Sequence, residues 1–123
     1  MNKARNLDEF TSAMKMMEFP MFNTLYADKT GNIFYIYNAL IPKRSAGYKW
    51  YDIVPGDKSK LIWDEYYSFD ELPQSTNPPT AYLQNCNSTP YLATVGIGSP
   101  EILLPSNTGI EMFQTNRAYR ANE

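Results

Sequence analysis

Prolines set the strongest limit on what this chain can fold into. Of its nine prolines all but Pro20 follow residue 40, and residues 39–80 alone hold five. Proline fixes its backbone φ angle and has no N–H to donate, so it interrupts helices and central strands. Aromatic residues lie between these prolines, a pattern typical of extended chain packed on other structure. We therefore predict an ordered loop over 39–80, held in place by the aromatic side chains Trp50, Trp63, Tyr66 and Tyr67.

Regular structure is predicted mainly before that loop. Between residues 6 and 17, apolar residues recur at helical spacing. Asn6 or Asp8 is available as a cap, and Pro20 follows the segment. These features predict one short amphipathic helix.

A β-hairpin is predicted next. The runs 22–28 and 32–38 are rich in Tyr, Phe and Ile and flank a turn that contains Asp28 and Gly31. The aspartate can accept hydrogen bonds from backbone N–H groups beyond it, and the glycine can adopt the left-handed conformation such a turn needs.

The remainder of the chain is predicted to be poor in regular structure. We expect a brief strand over 81–85, irregular chain over 91–108 and the first turn of a helix over 116–120. So few strands do not predict an independent sheet, because stability usually needs three or more with a covered face. The predicted fold class is α+β, with 1–123 as a single partial domain of something larger.

Composition excludes several classes of function. The formal net charge is -2 and the longest basic run is Lys43-Arg44, so nucleic acid is not a predicted partner. No apolar run is long enough for a membrane span, and 1–10 lacks the apolar core of a signal peptide. The chain has no histidine and Cys86 is its only cysteine, which leaves no internal disulfide and too few ligands for zinc. Any catalysis by this chain must proceed without an imidazole base.

Two asparagines, Asn85 and Asn87, stand where the predicted strand 81–85 gives way to a turn. An asparagine amide is neutral and offers N–H donors at every ordinary pH. Placed at the end of a strand, such a donor can stabilise a developing oxyanion. The alternative for both residues is a turn side chain that bonds only to nearby backbone. Cys86, which lies between them, is more typical of a small buried residue than of a nucleophile.

A series of short motifs resembles one enzyme family, in that family's order and at close to its spacing. The motifs are Tyr26-Ala-Asp-Lys-Thr-Gly-Asn-Ile-Phe-Tyr35, Ile41-Pro-Lys-Arg44 with Gly47, Val54-Pro-Gly56, Trp63, residues 69–73, Asn77-Pro78 and Asn85-Cys-Asn-Ser-Thr-Pro90. Together they resemble the catalytic β-subunit of the penicillin acylase family. These amidohydrolases with an N-terminal nucleophile include acyl-homoserine lactone acylases and aculeacin-type acylases. The match is strongest over 6–90.

The resemblance implies a four-layer αββα fold in a periplasmic or secreted protein. It also implies a precursor that cleaves itself to expose an amino-terminal serine, which attacks the amide of an N-acyl compound such as a penicillin or an acyl-homoserine lactone. The serine's own α-amine is the general base, and a backbone N–H and an asparagine amide hold the oxyanion. The family pattern Asn-x-Asn-x-x-Pro places that asparagine on Asn87. The arginine that steadies it corresponds to Arg117, with Arg120 as the competing position.

Parts of that machinery are expected to lie outside this chain. The chain begins Met1-Asn2-Lys3 and its serines are internal, so we expect the nucleophile to be absent. The resemblance implies that the backbone donor and most of the acyl pocket also lie outside this chain, nearer the start of the β-subunit. Some members of the family bind calcium partly through a backbone carbonyl in the loop after the Gly47 position, where Lys49-Trp50 replaces their pattern. We therefore predict no metal and no cofactor. We predict that the isolated chain is inactive and that its partners are an N-acyl amide substrate and the rest of the precursor, namely the α-subunit and the remaining β-subunit. The alternative function is a non-catalytic, aromatic-rich binding module.

Overall fold

A small antiparallel sheet organises the chain, and the computed structural model describes all 123 residues. Helix α1 spans Leu7–Met14 and helix α2 spans Asn116–Ala121. The strands are β1, Phe22–Ala27, β2, Ile33–Asn38, and β3, Gln74–Thr76, in the sheet order β1-β2-β3. Single 3-10 turns occur at Ser59–Leu61, Phe69–Glu71, Pro90–Leu92 and Ser106–Thr108. The fold is α+β, as predicted.

Helix α1 begins at the predicted cap and ends earlier than the predicted 6–17. The Asn6 side chain accepts a hydrogen bond from the Glu9 backbone N–H at 2.8 Å, which satisfies one of the free donors of the first turn. The helix buries Phe10, whose ring lies 4.7 Å from that of Tyr26 on the sheet. Met17 has a φ of 54°, a left-handed conformation that is incompatible with helical continuation.

The hairpin prediction is confirmed, and its turn follows the expected chemistry. Strand β1 pairs with β2 antiparallel, with Ala27 opposite Ile33. The Asp28 carboxylate accepts from the backbone N–H groups of Thr30 at 2.9 Å and Asn32 at 3.0 Å, and Gly31 has a φ of 92°. Hydrogen bonds from Thr30 and then Asn32 hold the pKa of the Asp28 carboxyl well below its usual range, so the turn contains an ionised aspartate.

The third strand of the sheet is not the one that the sequence predicted. The predicted strand 81–85 is wrong: this segment joins no sheet, and its backbone pairs instead with a loop through Gln84 N–H to Ala93 O at 2.7 Å. Ala81, with a φ of 57°, has a left-handed backbone that departs from the extended conformation of a strand. Strand β3 pairs with β2 instead, which places β2 at the centre of the sheet with Tyr35 and Ile36 fully buried.

Aromatic residues hold the loop after β2, as predicted, but the loop does not extend over all of 39–80, because Gln74–Thr76 pair with β2 and form β3. Pro42 forms an isolated bridge with Tyr66, and this bridge closes the base of the loop. The Arg44 guanidinium lies 5.6 Å from the ring centre of Trp50 and 5.3 Å from that of Trp63, within the range of cation–π attraction. Its Nη1 donates to the Asn107 carbonyl at 2.7 Å, so the loop is tied to the C-terminal part of the chain.

Candidate functional site

Asn87 lies in a tight turn rather than at the end of a strand. Its backbone has a φ of 54°, a left-handed conformation that asparagine tolerates better than most residues. The backbone N–H of Asn87 donates to Asn85 Oδ1 at 3.2 Å, a local turn in which the first asparagine stabilises the second. Asn85 therefore bonds to backbone, as one of the sequence interpretations expected.

Arg117 contacts Asn87 across 30 residues of sequence. Its Nη2 donates to Asn87 Oδ1 at 3.0 Å and to the Cys86 carbonyl at 3.2 Å. A guanidinium can only donate, so the amide atom that faces it must be the oxygen. The amide nitrogen Nδ2 of Asn87 consequently points away from Arg117, with its N–H groups available to another acceptor.

The short helix α2 brings Arg117 to this position. Thr115 caps α2 by accepting from the Ala118 backbone N–H at 3.2 Å, and its hydroxyl donates to the Cys86 carbonyl at 3.0 Å. The start of α2 is thereby attached to the turn that carries Asn87. Arg120, the competing candidate, is ion-paired with Glu123 and forms no hydrogen bond with Asn87.

Asn87 opens onto a cleft of about 320 Å³. Its wall combines two apolar side chains, Met21 and Phe22, with polar side chains from β1 and the C-terminal segment. The polar lining residues are Asn23, Asn85, Asn87, Ser88 and Glu111. Sequence reasoning did not identify Asn23 or Glu111, because they belong to separate segments and carry no local motif, and it gave no role to Ser88 within the motif 85–90.

Two buried tyrosines of β2 orient polar groups of this cleft. Tyr35 donates its hydroxyl to Asn23 Oδ1 at 2.5 Å, and Tyr37 donates to Glu111 Oε2 at 3.0 Å. Burial, which is the largest cause, raises the pKa of both tyrosines above the ordinary value, and the charge of Glu111 adds to the effect. Both hydroxyls therefore remain protonated donors at neutral pH.

The site is rich in hydrogen-bond donors and lacks the usual constellations for metal chemistry. Histidine, cysteine, aspartate and glutamate side chains do not form any group of three or more that could hold a metal ion. No helix is long and apolar enough to cross a membrane. What the arrangement offers is an oriented amide donor beside an apolar wall.

Comparison with known proteins gives the chain its family. The family model for penicillin amidase matches residues 1–123. Penicillin G acylase from Escherichia coli is 33% identical over 88 residues, which cover 72% of this chain and 10% of that relative. The solved structure of a thermostable penicillin G acylase from Alcaligenes faecalis superposes with a TM-score of 0.65 at 36% identity, covering 80% of this chain and 18% of the other.

Both of these relatives are penicillin G acylases, and this chain is similar to them in sequence and in structure. It belongs to the penicillin amidase family, which confirms the resemblance drawn from the motifs. The chain spans about a tenth of the length of the Escherichia coli relative.

Proposed function

We propose that this chain is part of the catalytic β-subunit of an acylase that hydrolyses the amide bond of N-acyl compounds. Asn87 is the side-chain donor for the oxyanion, and Arg117 fixes its orientation. The observation that carries the proposal is the bond from Arg117 Nη2 to Asn87 Oδ1, because it directs the Nδ2 donor away from the guanidinium. The family match supports amide hydrolysis as the class of reaction.

The proposed chemistry uses a serine from outside these 123 residues. The serine hydroxyl attacks the amide carbonyl, its proton moves to the free α-amine, and the carbonyl oxygen becomes an oxyanion that accepts from Asn87 Nδ2. Collapse of this intermediate expels the amine, which takes the proton back from the α-ammonium group, and leaves an acyl-enzyme ester. Water then repeats the attack on the ester and releases the acid.

The cleft favours an apolar acyl group. Met21 and Phe22 are 52% and 57% exposed in this chain and line the cleft beside Asn87. An apolar group of the substrate would cover them and gain the free energy of burial. Aromatic and long-chain acyl amides, including penicillins and acyl-homoserine lactones, are the proposed substrates.

The proposed partners are the α-subunit and the remaining β-subunit of a periplasmic or secreted protein. Large apolar side chains are exposed at several places on this chain, including Ile53, Ile97 and Leu103. Covering these side chains with other protein would gain the free energy of burying apolar surface. The small share of the relatives that this chain spans supports the same interpretation.

Expression of the complete reading frame tests the proposal. We expect the product to mature into two chains, the second of which begins with serine by amino-terminal sequencing, and to hydrolyse a chromogenic phenylacetyl or long-chain acyl anilide. The 123-residue chain alone should hydrolyse neither. An unprocessed product without turnover would contradict the proposal and favour a binding module instead.

A further inference from the structure

Glu111 differs from every other residue that lines the Asn87 cleft because it carries a formal charge. The other lining residues are neutral amides, a hydroxyl and two apolar side chains. Glu111 is half-buried, and the ion pairs of the chain use other carboxylates. Arg117, the cation beside Asn87, directs its guanidinium to Asn87 and Cys86 and forms no ion pair with Glu111.

Only one of the two carboxylate oxygens of Glu111 accepts a hydrogen bond within this chain. Oε2 accepts from the Tyr37 hydroxyl at 3.0 Å, which fixes the side chain against the buried strand β2. Oε1 accepts no hydrogen bond from any other residue of this chain. An ionised carboxylate accepts at both oxygens, and its bonds to cationic donors are stronger than those between neutral groups. The free oxygen is therefore suited to a positively charged donor.

We propose that Glu111 is a specificity-determining residue that favours substrates carrying a protonated amine close to the scissile amide. The inference rests on the proposed function, in which the substrate carbonyl accepts from Asn87 Nδ2 in the same cleft. A substrate held there has its acyl group beside Met21 and Phe22, and an ammonium group on that acyl portion can donate to Glu111 Oε1. An α-amino arylacetyl amide combines these two features.

Binding of a small probe tests the charge preference without relying on turnover. The probes are benzylammonium and its neutral analogue benzyl alcohol, titrated calorimetrically into the complete protein. Glu111→Gln removes the charge but keeps an oxygen that can accept from Tyr37. Glu101→Gln removes a charge of the same kind at an exposed position outside the cleft.

We expect Glu111→Gln to weaken benzylammonium binding by about fivefold, the effect of losing a partly exposed ion pair. Binding of benzyl alcohol should stay within twofold, and Glu101→Gln should alter neither. In turnover, the preference for an α-aminophenylacetyl anilide over the phenylacetyl anilide should fall by about the same factor through KM, because the ion pair forms in both ground and transition states.

Three results would overturn the role of Glu111. They are equal effects of Glu111→Gln on both probes, a wild-type protein that binds benzylammonium no better than benzyl alcohol, and an unchanged substrate preference in an active Glu111→Gln enzyme. A complete protein that hydrolyses no N-acyl amide would refute the proposed function instead. In that case the binding comparison still decides whether Glu111 is a cation site.

Discussion

Replacing Arg117 with methionine should lower kcat without abolishing it. The substitution keeps an unbranched side chain but removes both hydrogen bonds of Nη2, to Asn87 Oδ1 and to the Cys86 carbonyl. The Cys86 carbonyl keeps its bond from Thr115, so the turn itself is retained. The principal loss is the fixed orientation of the Asn87 amide.

The size of the effect follows from the orientations that become available. Three staggered χ1 wells and a roughly two-fold χ2 give the freed amide about six orientations. If one of these is productive, the fraction of enzyme with a correctly oriented amide falls to about one sixth. This loss corresponds to about 1 kcal/mol of transition-state stabilisation and lowers kcat about sixfold. Complete loss of an oxyanion donor costs about 100- to 1,000-fold, so Arg117→Met should be much milder than removal of Asn87 itself.

Steady-state kinetics on the complete protein, with a double-mutant cycle, provides the assay. In an Asn87→Ala background, Arg117→Met should change kcat by less than twofold, because there is no amide left to orient. Arg120→Met is the matched control, since Arg120 is exposed and pairs only with Glu123. Additive losses in the double variant would refute the orienting role, and so would an Arg117→Met defect as large as that of Asn87→Ala.

Three further predictions concern the fold that supports the site. Ile36→Ala, at a fully buried position of β2, should lower the free energy of unfolding by about 2 to 5 kcal/mol in urea titrations, and a loss under 1 kcal/mol would contradict the described core. Gly98→Ala should destabilise by about 1 to 3 kcal/mol more than Gly96→Ala, because both glycines have positive φ but only at Gly98 would the new Cβ lie 2.7 Å from Pro78 Cβ. The lowered pKa of Asp28 means that its ionised form stabilises the fold above the unfolded-state pKa of about 3.9 and that this contribution is lost as pH falls toward the folded-state value. Urea titrations over that acidic range should show a smaller pH dependence for Asp28→Asn than for the wild type, and equal slopes would contradict the assignment.

The sequence was most informative where local chemistry decides the structure. The hairpin turn could be predicted because Asp28 and Gly31 meet its hydrogen-bonding and conformational demands within a few residues. Strand β3 could not be predicted, because Gln74–Thr76 is short and polar and forms a strand only by pairing with β2. The segment 81–85 has the apolar pattern of a strand, but Ala81 is left-handed and the backbone N–H of Gln84 bonds to Ala93 instead of to a strand.

In the site too, residues within a sequence motif could be predicted, whereas residues brought in by tertiary contacts could not. Asn87 and Arg117 were proposed from a family resemblance, and the structure brings the two side chains to 3.0 Å. Their roles in catalysis stay predictions. Asn23 and Glu111 had no signal in the sequence, because each enters the cleft through a bond to a tyrosine of β2 that only the folded chain reveals.

The kcat of Asn87→Ala in the complete, processed protein is the most direct test of the central claim. A donor used for the oxyanion contributes in the transition state, so its removal should lower kcat about 100- to 1,000-fold while KM stays within a fewfold. Arg120→Met again serves as the control, with kcat expected to remain within twofold of the wild type. A kcat within threefold of the wild type, or a defect confined to KM, would contradict the assignment of Asn87 as the oxyanion donor.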